Sequence, residues 1–92
     1  MAVENLHSGH RERMRSKFAK NMNFNSFEEH EILEMLLFYC YPRGDTNQTA
    51  HKLINRFGSL SGVLEASYEE LTESGIIGEN PALSLKFFNA LN

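Results

Sequence analysis

The sequence has few of the features that mark disulfide-bonded, membrane-spanning or secreted proteins. Its single cysteine, Cys40, excludes an internal disulfide and indicates a reducing, cytoplasmic compartment. No apolar run approaches the roughly 20 residues that a membrane-spanning helix needs. Residues 1–21 are polar and basic, unlike a signal peptide, so no membrane partner is expected.

Motifs for metal binding and catalysis are also missing. His7 and His10 stand three residues apart, but no cysteine, aspartate or third histidine lies at a spacing that would complete a metal site. Cys40 lies in an apolar stretch, which favours a small core residue over a nucleophile. The sequence has no Gly-rich nucleotide-binding loop. We therefore expect no cofactor and a non-enzymatic protein.

What is present is a small globular composition with an uneven distribution of charge. The chain has 92 residues, of which 41% are hydrophobic and 23% charged, as in a single small domain. The net charge of −3 argues against a general nucleic-acid binder. Residues 1–20, however, carry five basic residues against two acids, whereas residues 21–45 carry one against five. A polyanion is therefore expected to bind at the front of the chain.

Helical periodicity runs through the chain. The predicted fold is an all-α, compact bundle of five to six short helices, similar to SAM and helix-hairpin-helix domains. A flexible lead-in at 1–8 precedes a single domain at 9–92, with a basic helix at 9–20, a buried helix at 27–41, a helix at 47–57 and a hairpin at 67–91.

The buried helix is predicted to be the centre of the bundle. Ser26 is the expected N-cap, with Glu29 three residues later. From Ile32 to Cys40 the sequence is apolar on all sides, interrupted only by Glu34. The glutamates of this region are interpreted as a solvated helix start, with pairing to the basic helix as the alternative.

Residues 67–91 read as a helix, a tight corner and a second helix, which together make a helix-hairpin-helix. Ser67, with Glu70 three residues later, is a good N-cap. Gly75 and Gly78 bracket the corner and supply backbone angles that other residues reach only with strain. The second helix has two apolar sides, Leu83, Phe87, Ala90 and Leu91 on one, and Ala82, Leu85 and Phe88 on much of the other.

A hairpin of this kind suits an anion. The second helix presents unpaired N–H groups and its positive dipole end just after the corner, where a DNA phosphate can approach. The segment at 47–53 resembles the one at 79–85, because each has an alanine followed by a leucine three residues later. This indicates two hairpin units packed as a pseudo-symmetric pair, with chance similarity as the alternative.

Several spaced motifs, in this order, resemble the N-terminal region of the RadC family. They are residues 7–18 (HSGHRERMRSKF), 31–39 (EILEMLLFY), 42–47 (PRGDTN), 56–66 (RFGSLSGVLEA) and 78–82 (GENPA). The resemblance implies a helix-hairpin-helix unit linked to DNA repair. In that family the unit precedes a metal-dependent JAB/MPN-type domain, whose His-x-His…Asp pattern is absent here, so such a domain or another protein is an expected partner.

The chain departs from the family pattern at the corner. The usual Pro-Gly-Ile-Gly is replaced by residues 75–78 (GIIG), so that Ile76 stands where a glycine is expected. A β-branched residue resists positive φ and crowds a phosphate. Glu79, directly after the corner, repels one. The hairpin is therefore either a phosphate site or a structural relic.

Two functions from different classes follow. The first is a non-catalytic DNA-binding accessory module that contacts phosphates without reading bases. Its predicted contacts are Arg11, Arg13, Arg15 and Lys17 on the basic helix, Arg43 and Gly44 at the corner before helix 47–57, and the hairpin donors Gly75, Ile77 and Gly78. The second is a protein-interaction or tethering module, favoured by the acidic total charge and by an exposed apolar tip at Ile76 and Ile77.

Overall fold

The computed structural model describes the backbone of residues 2–91 and the side chains of residues 9–91. Over this part of the chain the protein is all-helical, as predicted, with six helices. They are α1 (Ala2–Asn21), α2 (Glu29–Phe38), α3 (Asn47–Phe57), α4 (Leu60–Glu65), α5 (Tyr68–Glu73) and α6 (Glu79–Ala90).

The front of the chain differs in its bounds from the prediction. α1 begins at Ala2, so its backbone includes most of the stretch expected to be a lead-in. The flexibility of residues 1–8 stays a prediction, and the side chain of His7 lies outside the described residues.

α2 begins later than predicted because a different residue caps it. The backbone N–H of Glu28 donates to Oε1 of Glu31 at 2.9 Å, which makes Glu28 the N-cap. The prediction of Ser26 as the cap is therefore wrong. At the other end, the N–H groups of Cys40 and Tyr41 both donate to the carbonyl of Leu37 and close the helix, so that α2 ends at Phe38 and not at residue 41 as predicted.

The core lies between α2 and the four helices that follow it. Leu33 and Leu37 of α2 pack with Leu53 of α3, and all three side chains are fully buried. The other buried members of this core are Ala50, Val63, Ala66, Leu71, Ile77, Ala82 and Leu85. Each fully buried leucine contributes about 1.5–3 kcal/mol relative to an exposed one. The core is therefore continuous from α2 to α6.

α2 is central, but it is not buried on all sides. Its core side carries Leu33 and Leu37, and Glu34 and Phe38 are buried beside them. Tyr39, just after the helix, is 73% exposed. The apolar sequence of α2 therefore serves two surfaces, the core and an outer side that the described chain leaves partly uncovered.

Candidate nucleic-acid interface

Arg11, one of the predicted phosphate contacts, points into the protein. Its guanidinium donates to the carbonyls of Tyr41, at 2.7 Å, and Gly44, at 3.1 Å. It also lies 4.7 Å from the ring centroid of Phe38. Burial, followed by the charge of Arg15, lowers the pKa of Arg11, and an arginine remains charged at neutral pH in spite of such a shift. Arg11 therefore fastens α1 to the end of α2 and to the next corner.

The other side of α1 is open. Arg13, Lys17 and Lys20 share this solvent-facing side of the helix with Gly9, Glu12 and Ser16. A Cβ atom added at Gly9 would lie 2.9 Å from an Nη atom of Arg13, so the glycine leaves room for the guanidinium to lie along the helix. The three cations occur at i, i+4 and i+7, which places them along one side of the helix. We call this row the α1 cation row.

Lys17 and Arg15 are partly engaged with the protein. Nζ of Lys17 donates to Oε1 of Glu31 at 3.3 Å and lies 4.6 Å from the ring centroid of Phe27. Such a half-exposed pair contributes about 0–1 kcal/mol and is screened by salt. Arg15 is exposed, with its guanidinium carbon 5.8 Å from the ring centroid of Phe38. Both side chains remain accessible to an external anion.

Arg43 and Gly44 lie at the corner between α2 and α3. Gly44 has φ +101°, a conformation that favours glycine, and its carbonyl accepts the bond from Arg11. Arg43 is exposed and borders a shallow cavity of about 240 Å³. Asp45 Oδ1 accepts from the N–H of Asn47 at 2.9 Å and so places a carboxylate at the start of α3. The structure thus brings this corner to α1, but with an acid beside it.

The corner between α5 and α6 meets some expectations and contradicts others. Ser67 caps α5 with the predicted capping box, and Gly75 has φ +76°. Gly78 is the N-cap of α6 with φ −88°, so only the first of the two glycines needs its conformational freedom. Ile77 is 5% exposed and belongs to the core. The prediction of an exposed apolar tip is therefore wrong.

Four details of this corner bear on phosphate binding. The N–H of Ile76 donates to Oγ of Ser74 at 3.1 Å and is already used. Ile76 does not adopt positive φ, so the strain expected from its β-branched side chain does not arise. Gly75 and Gly78 are exposed, with no heavy atoms near their missing Cβ positions. Glu79 begins α6 as the sequence indicated, in the position that repels an anion.

Sequence reasoning missed a buried carboxylate. The side chain of Glu34 is 1% exposed, and its Oε1 accepts from Nε2 of His10 at 2.8 Å. Its Oε2 accepts from Nδ2 of Asn47 at 2.9 Å and lies 4.0 Å from Nε2 of His30. His30 in turn stacks on His51 at 4.2 Å between ring centroids. Glu34 therefore connects α1, α2 and α3.

A signal for this arrangement was present in the sequence. Glu34 is the one charged residue between Ile32 and Cys40, and a buried charge is almost always paired. Its partners stand 24 and 13 residues away, so spacing did not reveal them. Of the two interpretations offered for the glutamates, pairing with α1 holds for Glu31 and Glu34.

The described residues give no support to a metal or membrane role. Among residues 9–91, no three His, Cys, Asp or Glu side chains are grouped so as to hold a metal ion. None of the helices described is long and apolar enough to cross a membrane. Burial raises the pKa of the Cys40 thiol, which keeps it protonated and weakly nucleophilic.

Comparison with known proteins shows what this chain is similar to. The chain is 44% identical over 88 residues to the UPF0758 protein FN0909 of Fusobacterium nucleatum. The match covers 96% of this chain but 38% of that relative, so the chain spans well under half of the relative's length. No protein-family model and no solved structure matches. The chain is thus similar to part of a UPF0758 protein, which fits the resemblance to the RadC family.

Proposed function

We propose that this chain is a RadC-related, non-catalytic accessory module that binds DNA through backbone phosphates in a repair-associated protein. The similarity to part of a longer UPF0758 protein supports the link to the family. A JAB/MPN-type domain or a separate partner protein then supplies any chemistry. The observation that carries the DNA-binding proposal is the α1 cation row on the solvent-facing side of α1.

The charge distribution supports a localised contact. The basic residues are concentrated on α1, whereas the rest of the protein is acidic, so a duplex is attracted to one helix and repelled elsewhere. Arg13 and Lys20 are separated by about 10 Å along the axis at 1.5 Å per residue. Lysine and arginine on phosphates position a protein without reading sequence. We therefore propose binding that is weak, salt-sensitive and indifferent to sequence.

Arg15 and the two corners are secondary contacts in this proposal. Arg15 and Arg43 are exposed and can extend the cation row. Gly75 and Gly78 leave open backbone beside them, and Ile77 fixes the corner through its buried side chain. The carboxylates of Asp45 and Glu79 oppose an anion at both corners. Arg11 is left out, because its guanidinium is bonded to carbonyls of the protein.

Fluorescence anisotropy with a labelled duplex, at low and moderate salt, tests the proposal. The double variant R13Q/K20Q removes two cations from α1, and K52Q/R56Q removes two exposed cations from α3 as a matched control. Each phosphate contact contributes a salt slope of about 0.9, so R13Q/K20Q is expected to lower the slope by about 1.8. The control is expected to bind like the wild type.

Three outcomes are decisive for this proposal. A slope lowered only in R13Q/K20Q supports it. Equal loss in both double variants would mean that net charge, rather than the cation row, attracts the duplex. Absence of binding at low salt would overturn the DNA-binding role and favour the second candidate.

The second candidate is a protein-interaction module. Ile77, which was expected to be part of an exposed apolar tip, is buried in the core, but a different surface favours this function. Leu83 and Phe87 on α6 and Leu91 at its C-cap are 56%, 63% and 69% exposed. Apolar contact is insensitive to salt, whereas phosphate contact is not, so the anisotropy series separates the two functions.

A further inference from the structure

α6 has two apolar sides, and the described chain covers one of them. Ala82 and Leu85 are fully buried in the core. Leu83, Phe87 and Leu91 recur every four residues on another side, and each is more than half exposed. A helix that is apolar on two sides normally packs on two sides. The exposed side of α6 therefore needs a second occupant.

The exposed side continues onto the end of α2. Tyr39, 73% exposed, meets Phe88 edge-on with ring centroids 6.0 Å apart. Phe88 meets Phe87 at 6.1 Å. These contacts join the two helices into one surface, which we call the α6 patch, made of Tyr39, Leu83, Phe87, Phe88 and Leu91.

A cleft adjoins the patch. It has a volume of about 390 Å³, and Tyr39, Phe88 and Leu91 form part of its wall. Met35 and Leu36, from the outer side of α2, complete it with other apolar residues. The patch thus combines a projecting aromatic side chain, Phe87, with a neighbouring apolar hole. A surface with a projection beside a hole can be complementary to itself.

The patch carries no charge. Between Ala82 and Leu91 the one charged residue is Lys86. Its Nζ donates to the carbonyls of Leu64, at 2.9 Å, and Ala66, at 2.8 Å, which turns it towards α4 and away from the patch. A charged partner would therefore find no complementary group, whereas an equally uncharged surface would leave nothing unpaired.

We propose that the α6 patch pairs with the α6 patch of a second copy, in a two-fold dimer. In such an isologous contact each Phe87 lies over the cleft of the other copy. Aromatic side chains bury about 150–250 Å² each, and Tyr39 and Phe87 are 73% and 63% exposed, so these two offer roughly 200–340 Å² per copy, to which the leucines add. Stable interfaces bury about 800 Å² per partner and weak ones less than about 600 Å², which places this dimer in the weak class.

This inference is independent of DNA binding. The α1 cation row belongs to a different helix, and none of its residues lies in the α6 patch. Dimerisation would join two cation rows in one particle, which strengthens binding to a long polyanion by avidity. If the duplex does not bind in the anisotropy test, the dimer proposal is unaffected. If the protein is monomeric, the α1 cation row is still available to bind DNA.

Sedimentation of the protein from about 1 μM to about 1 mM, the range of weak dissociation constants, tests the dimer. The wild type is expected to pass from monomer to dimer, with little change when salt is raised, because the contact is apolar. Phe87→Glu is expected to weaken association at least ten-fold, since the two-fold axis introduces the charge twice. Met22→Glu is the matched control, because Met22 is 72% exposed and lies outside the patch.

Circular dichroism verifies that both variants keep their helices. Association lost in Phe87→Glu and kept in Met22→Glu supports the proposal. A wild type that remains monomeric at the highest concentration overturns it and assigns the face to a different polypeptide. The proposal is also overturned if Met22→Glu weakens association as much as Phe87→Glu does, or if raised salt disrupts association.

Discussion

The two ends of this chain are attached to the core by different interactions. At the back, α5 and α6 contribute Leu71, Ile77 and Leu85, which are buried apolar side chains in one continuous core. At the front, the side chains of α1 that the structure describes, residues 9–21, contribute one buried apolar residue, Met14. Phe18 adds aromatic contacts with Phe24 and Phe27, at 5.0 and 6.5 Å between ring centroids. The remaining contacts described for α1 are polar or cation–π, made by His10, Arg11, Arg15 and Lys17.

The difference determines how each end responds to change. Apolar burial is non-directional and grows with area, so a core helix tolerates small shifts of its neighbours. A polar attachment depends on a few atoms in defined positions, and one lost partner leaves another group unsatisfied. Over its described side chains, α1, which carries the cations of the proposed interface, therefore has less buried apolar attachment and depends more on directional contacts. We expect it to separate from the bundle before α5 and α6 do.

Leu85→Ala should cause the largest loss of stability, because Leu85 belongs to the apolar core at the back of the chain. The substitution removes a fully buried side chain and leaves a cavity, which costs about 2–5 kcal/mol of unfolding free energy. Leu83→Ala, on the exposed side of the same helix, is the control and should cost less than about 0.5 kcal/mol. Urea denaturation followed by circular dichroism measures both. Equal losses would mean that Leu83 is covered in solution, by a second copy for example.

Glu34→Ala should have the next largest effect and should act on the front of the chain. The variant leaves the donors of His10 and Asn47 without their acceptor, at a cost of about 1–3 kcal/mol. Hydrogen exchange should show faster opening of α1 than of α6. Glu73→Ala, at an exposed position on α5, is the control and should leave exchange unchanged. Uniform loss of protection would show that Glu34 supports the whole core instead.

Local signals predicted the back of the chain well. The bounds of α3, at Asn47–Phe57, agree with the prediction, and so do the capping box of Ser67 and the positive φ of Gly75. Each depends on residues within four positions of one another, where helix geometry alone fixes the contact. The start of α2 shows the limit of such signals. Ser26 and Glu28 each have a glutamate three residues later, and sequence alone did not rank them.

The front of the chain was harder to predict because its contacts are distant in sequence. Arg11 and Arg13 look equivalent in a basic helix, yet Arg11 bonds to a carbonyl 33 residues away and Arg13 is exposed to solvent. Glu34 resembles the other acidic residues of α2 in sequence, but in the structure it is buried between α1 and α3. Ile77 looked like part of an exposed tip, but the turn at Gly75 directs it into the core. Which face of α1 is free is decided by tertiary packing, and so is the candidate site.

The comparison of Arg11→Gln with Arg13→Gln is expected to give the smallest changes in stability. It separates attachment of α1 to the protein from contact with a DNA phosphate. Arg11→Gln removes bonds to two backbone carbonyls, at about 1 kcal/mol of unfolding free energy, since the site is partly exposed. Arg13→Gln should change stability by less than about 0.5 kcal/mol. On labelled duplex the order should reverse, because Arg13→Gln lowers the salt slope by about 0.9 and Arg11→Gln leaves it unchanged. If Arg11→Gln alone lowered the slope, the guanidinium would have to leave its carbonyls to reach a phosphate, and the attachment of α1 would itself be coupled to DNA binding.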